Sequence, residues 1–86
     1  MRQFEYVITD PLGLHARPAG LLAQTARACA DAEIIISRGD AAAKATQLMR
    51  LMSLGLQPGD RVTVTAEGPG EEAAIAAMEA FFRERL

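Results

Sequence analysis

The chain has 86 residues, nine basic and eleven acidic side chains and a net charge of −2. It is one small domain, residues 1–86, without the strongly basic balance (pI above about 9) of a bulk nucleic-acid binder. Apolar residues make up 50% and charged residues 23%, a globular composition rather than a disordered one.

Arg2 to Thr9 alternates Phe4, Tyr6 and Ile8 with Gln3, Glu5, Val7 and Thr9, the period-2 pattern of a strand that is polar on most of one face. Asp10-Pro11-Leu12-Gly13 ends it with turn chemistry. From Ala16 to about Ala30 the period becomes helical, with Ala19, Leu21, Leu22, Thr25, Ala26 and Cys29 on one side and Arg17, Gln24, Arg27 and Asp31 on the other. Pro18 fits only in a first helical turn, so this helix starts within a residue or two of His15.

Glu33 to Ser37 is a β-branched strand, Arg38-Gly39-Asp40 a hairpin turn, and Ala41 to Lys44 the returning strand, although alanine is a poor strand former. Thr46 to Ser53 reads as one or two helical turns capped by Gly55, and Gln57-Pro58-Gly59-Asp60 as a turn. Arg61 to Glu67 alternates Val62, Val64 and Ala66 with threonines, a further strand broken by Gly68-Pro69-Gly70. Glu71 to Leu86 is the last helix, with an apolar stripe of Ile75, Met78, Phe82 and Leu86 and charges that match the helix dipole. The order β-α-β-β-α-β-α predicts an α+β open-faced sandwich, a four-stranded antiparallel sheet with three helices on one face.

The scarce residues direct attention to one position. A single Cys and a single His exclude an internal disulfide framework, a CxxC zinc site and a histidine-cluster metal site. His15 is therefore the one imidazole available for proton or phosphoryl chemistry near neutral pH. It lies in a segment, residues 15–50, with five basic against three acidic residues, whereas residues 57–86 carry three against six. Leu14-His15-Ala16-Arg17-Pro18-Ala19 places it at the mouth of a helix, whose unpaired N–H groups favour an anion attached to the imidazole. A nitrogen nucleophile that accepts a phosphoryl group fits this arrangement, and Arg17 adds a cation for the phosphate oxygens. No carboxylate adjoins His15 in sequence.

The string Gly13-Leu14-His15-Ala16-Arg17-Pro18-Ala19 resembles the active-site signature of HPr, the histidine-containing phosphocarrier family of the bacterial phosphoenolpyruvate-dependent sugar phosphotransferase system. Met52-Ser53-Leu54-Gly55-Leu56 is similar to that family's segment after the short central helix, and Arg61 to Gly68 to its last strand. The resemblance implies a phosphocarrier, not an enzyme acting on a small substrate. His15 would take a phosphoryl group from phosphorylated enzyme I on Nδ1 and pass it to an enzyme IIA domain. Arg17 and the backbone N–H groups of Ala16 and Arg17 would hold the phosphate. Gly20, Gln24 and Arg27 of the first helix and Leu48, Met49 and Met52 of the short one would dock both partners. A regulatory relative, of a nitrogen-type branch, is the alternative: there His15 phosphorylation would control partner binding.

Part of this follows from the residues alone. Gln24 and Arg27 share a helical face with Arg17, and Leu48, Met49 and Met52 cannot all point inward from two turns. One departure stands out. Where many Gram-positive relatives have a regulatory serine at the start of the short helix, this chain has Gln47, with Thr46 as the nearest hydroxyl. Cys29 reads as core, and no GxxxxGK phosphate loop occurs. No metal, cofactor or nucleic-acid partner is expected; strand aromatics for base stacking are limited to Phe4 and Tyr6. With no apolar run near the roughly 20 residues of a membrane span, and no apolar signal core in the first residues, a cytoplasmic monomer is expected.

Overall fold

The computed structural model describes residues 1–86. Four strands, β1 (Arg2–Val7), β2 (Glu33–Arg38), β3 (Ala41–Lys44) and β4 (Arg61–Glu67), form one antiparallel sheet in the order β1-β4-β2-β3. Three helices, α1 (Ala16–Ala28), α2 (Leu48–Ser53) and α3 (Glu71–Arg85), complete the α+β open-faced sandwich. The alanine-rich β3 forms because Arg38 pairs with Ala41 across the tight Gly39–Asp40 loop, so hairpin geometry overrides propensity.

The register places alternate residues on the inner face. Val62, Val64 and Ala66 of β4 and Ile34 and Ile36 of β2 are buried, while Thr63, Thr65, Ile35 and Ser37 look outward and are half-covered. Phe82 of α3 is the largest wholly buried side chain. The rings of Phe4, Tyr6 and Phe81 meet it edge-on with centroids 5.7, 5.5 and 6.3 Å away, an arrangement the aromatic quadrupole favours.

Five boundaries and one face differ from the sequence reading; β2 runs one residue further, to Arg38, and α3 ends one residue earlier, at Arg85. β1 ends at Val7, because Ile8 N–H and C=O turn to Asp60 O and Gly59 N–H instead of continuing the ladder. α1 ends at Ala28, and its buried face is Pro18, Ala19, Leu22, Ala23 and Ala26. Leu21, Thr25 and Cys29 sit at its half-covered margin, where α1 lies beside α2 and α3. α2 starts at Leu48, leaving Thr46 outside it.

The sheet has two ends, each with its own loops and helix termini. At one, β1 finishes and β4 begins, for Val7 pairs with Arg61; α1 starts there and α3 finishes there. At the other, β2 begins opposite the end of β4, for Glu33 pairs with Glu67. No helix is long and apolar enough to cross a membrane.

Candidate functional site

His15 lies at the first of these ends, on a loop fastened from three sides. Gly13 takes φ +65°, the left-handed region, and a Cβ there would collide with the Leu56 carbonyl and lie 3.0 Å from Gln57 Cα. That close approach lets Leu14 N–H donate to Leu56 O at 3.1 Å. Behind the loop, Leu12 N–H donates to Asp10 Oδ1 at 2.8 Å and Gly13 N–H to Asp10 O at 2.9 Å, an Asx turn that fixes the loop's entry. From the third side, the carbonyl of the buried Leu86 accepts Thr9 N–H, Thr9 Oγ1–H and Asp10 N–H. The end of α3 is thus stapled to the strand that leads to His15.

The 56–60 turn is itself rigid. Asp60 Oδ2 accepts Gln57 N–H at 2.8 Å and Arg38 Nη1–H at 3.0 Å, and the same arginine nitrogen donates to Gly55 O at 3.1 Å. The Gln57 N–H, followed by the Arg38 guanidinium, holds the Asp60 carboxyl below the usual aspartate value.

His15 is the N-cap of α1, extended at φ −95°, ψ −176°, and its half-buried side chain makes no capping hydrogen bond. Its carbonyl accepts Ala19 N–H at 2.9 Å, while the N–H groups of Ala16 and Arg17 have no protein acceptor. Two donors therefore point out of the helix mouth beside the imidazole, with the helix dipole behind them. Arg17 is exposed and forms no salt bridge, so its guanidinium is available to an incoming anion. A cleft of about 180 Å³ is lined here by Asp10, His15, Arg17, Pro18, Leu21, Glu84 and Arg85. The chemistry this supports is nucleophilic attack by an imidazole nitrogen and retention of the resulting anion by backbone donors and arginine.

Two carboxylates, Asp10 and Glu84, thus share the cleft with His15, although none adjoins it in sequence. Glu84 and Arg85 escaped the sequence reading because no local pattern links residues that far apart; only the pinning of Leu86 brings them in. The α3 stripe, with Leu86 as its last inward residue, was the one available signal.

The docking candidates lie on neighbouring elements. Gly20 is half-buried with open space where a Cβ would stand, and Gln24 and Arg27 are exposed on the same side of α1. Arg27 Nη2–H donates to Thr46 O at 3.0 Å, tying α1 to the entry of α2. On α2, Leu51 goes into the core and Leu48 packs half-buried against it, while Met49 is 77% and Met52 38% exposed. The exposed methionines give α2 an adaptable apolar surface. Thr46 is half-buried in the loop before α2; Gln47 is the N-cap, and its side chain makes no capping bond. From α2 the chain runs through Leu54 and Gly55 to Leu56, the residue that clamps Gly13. Among His, Cys, Asp and Glu side chains, no group of three could hold a metal ion.

A family profile described as the phosphorylation site of the PTS HPr component matches residues 2–84. The phosphocarrier protein HPr of Mycoplasma genitalium is 38% identical over 80 residues, covering 93% of this chain and 91% of that protein. A multiphosphoryl transfer protein of Xanthomonas campestris is 44% identical over 78 residues, 91% of this chain but 9% of that larger protein. A solved histidine-containing phosphocarrier protein from Mycoplasma superposes with a TM-score of 0.92 at 30% identity, covering 96% of this chain and 93% of that one.

Proposed function

The chain belongs to the HPr family of the phosphotransferase system, and on that premise we propose that His15 carries a phosphoryl group from enzyme I to an enzyme IIA domain. The observation that carries this reading is the open helix mouth: one imidazole, two unengaged backbone N–H groups and an unpaired arginine at one point. In the first transfer the Nδ1 lone pair attacks phosphorus on the donor. The bond from phosphorus to the donor breaks, and its electron pair stays with the donor. The Ala16 and Arg17 N–H groups and the Arg17 guanidinium receive the phosphoryl oxygens. In the second transfer the acceptor attacks phosphorus from the opposite side and the P–Nδ1 bond breaks. The protein is thus consumed and regenerated as a substrate of other enzymes, and residues 1–86 serve as one carrier unit.

Both partners must reach the same nitrogen, so they dock one at a time on the surface around it. Gly20, Gln24 and Arg27 supply its polar part, and Leu48, Met49 and Met52 its apolar part. Gln47 at the head of α2 offers no hydroxyl, which leaves Thr46 as the nearest acceptor for any regulatory kinase. The carrier acts as a monomer in the cytoplasm, where enzyme I and phosphoenolpyruvate meet it.

Incubation with enzyme I and phosphoenolpyruvate is expected to give one acid-labile phosphate per chain, absent in His15→Ala. Stoichiometric label that survives in the His15→Ala protein would sink the proposal.

A further inference from the structure

We propose that Arg85 is a second cation of the phosphorylated site, turning from the Phe81 ring into the His15 cleft to pair with the phosphoryl group. The inference rests on the phosphocarrier reading of His15 and adds a group from the other end of the chain.

The end of α3 is held where this role requires it. Leu86 is 3% exposed, and its carbonyl accepts three hydrogen bonds from Thr9 and Asp10. The residue before it is therefore fixed at its backbone beside the loop that carries His15, and Arg85 lines the same cleft as His15 and Arg17. Its side chain is not fixed. The guanidinium lies over the Phe81 ring at 5.8 Å and joins no salt bridge. Arg83, two residues earlier, donates to Glu79 at 3.0 Å instead. Arg85 also lines the groove between α1 and α3 beside Leu21, Gln24 and Phe81. A change of side-chain rotamer thus carries the charge from that groove into the cleft without moving the backbone.

The charges facing the cleft give the reason for such a movement. Asp10 and Glu84 oppose Arg17 and Arg85, two against two, so the unmodified cleft is balanced. A phosphoryl group adds about −1.5 to −2 charges at neutral pH. Asp10 and Glu84 then repel it, and the excess of negative charge draws both Arg17 and Arg85 toward the phosphoryl oxygens. Arg85 is the one further cation lining the cleft, and a guanidinium is the group that pairs best with phosphate oxygens.

The test is a pH titration of the ³¹P resonance of the protein phosphorylated on His15 with phosphoramidate, a reagent that modifies imidazole without enzyme I. Protonation of either the phosphate or the ring adds positive charge beside Arg85, so a paired Arg85 lowers the midpoint. Arg85→Gln is expected to raise it by a few tenths of a pH unit, Arg85→Lys to restore most of the difference, and Arg83→Gln to leave it where it is. An unchanged midpoint in Arg85→Gln, or an equal rise in Arg83→Gln, overturns the assignment. Failure of enzyme I to phosphorylate the parent protein would count against the donor named above and leave this titration intact. A His15 that phosphoramidate cannot modify overturns the phosphocarrier reading and the role of Arg85 with it.

Discussion

Both ends of the sheet are built by the same device, yet only one sets a histidine at the open start of a helix. At the His15 end, Gly13 touches the backbone of Leu56; at the far end, Gly68, at φ +140°, brings its missing Cβ within 2.5 Å of Asp31 O. Each contact locks a loop against the start or end of a helix, and each leaves a concave surface beside it. The far groove is the larger, about 590 Å³ against about 180 Å³. It is lined by Asp31, Glu33 and Glu67 with Lys44 as its one cation, and the end of α1 rather than its start lies there. Carboxylates at a helix C-terminus repel a phosphoryl group on both counts, and the groove has no nucleophilic imidazole. Size does not distinguish the end suited to a phosphoryl group; the direction of α1 and the placement of one histidine do.

The comparison breaks most visibly if either glycine clamp is altered. Gly13→Ala and Gly68→Ala each force a side chain into a backbone conformation that L residues rarely adopt and against a neighbouring carbonyl. Each is expected to cost about 3 kcal/mol of stability, read as a lower urea midpoint. The two then separate. Under conditions where both remain folded, Gly13→Ala slows phosphoryl transfer because it shifts the loop that holds His15, whereas Gly68→Ala leaves transfer at the parent rate. Equal transfer rates in the two variants would show that the Gly13–Leu56 contact does not position the imidazole.

Charge reversal gives the next effect. Arg17→Glu removes charge-assisted hydrogen bonds worth about 2 kcal/mol and sets a negative group beside the transferring phosphate. Transfer from enzyme I is expected to slow by about 100-fold or more, with the thermal midpoint little changed because Arg17 is exposed and unpaired. The matched reversal in the far groove, Glu67→Lys, leaves the rate unaltered. Stopped-flow or quenched-flow transfer kinetics on the two variants decide whether the ends differ as argued.

The sequence made one of these ends far more legible than the other. His15, Arg17 and Pro18 announced a helix start by local rules, since a proline in a first turn and a cap before it act within a few residues. The alternation of β4 and the stripe of α3 likewise placed Val62, Val64, Met78 and Phe82 inside. What stayed hidden was non-local. Asp10, Glu84 and Arg85 become neighbours only through the Leu86 staple. The buried face of α1 differs at Leu21, Thr25 and Cys29 because the position of α1 beside α2 and α3, which is non-local, and not side-chain hydropathy alone, sets which residues go inward. The clamp at Gly68 depends on Asp31, four elements away in the chain, and no turn motif names that partner.

The smallest expected effect concerns acid. Each end holds one carboxyl below its usual pKa: Asp60 through the Gln57 N–H and Arg38, and Glu71 through the Met1 amino group and the Gly68 N–H. A carboxyl whose pKa is lowered on folding adds stability above its unfolded value, and that stability drains away as pH falls through the lower folded value. For Asp60 the drain starts near the ordinary value of 3.8, and for Glu71 near 4.5. Asp60→Asn and Glu71→Gln are therefore expected to be slightly less stable than the parent at neutral pH, and each gap to begin to close on acidification near the group's ordinary value. Both groups are partly open to solvent, so salt shrinks both gaps. The two ends differ again in consequence. Asp60 braces the turn that carries Leu56, so Asp60→Asn also loosens the seat of Gly13 and makes phosphoryl transfer more temperature-sensitive, while Glu71→Gln changes stability alone. Urea denaturation from pH 7 down to pH 3, set beside transfer rates at rising temperature, measures both halves of that difference; a Glu71→Gln protein whose transfer became equally temperature-sensitive would show that the two ends are mechanically coupled through the sheet.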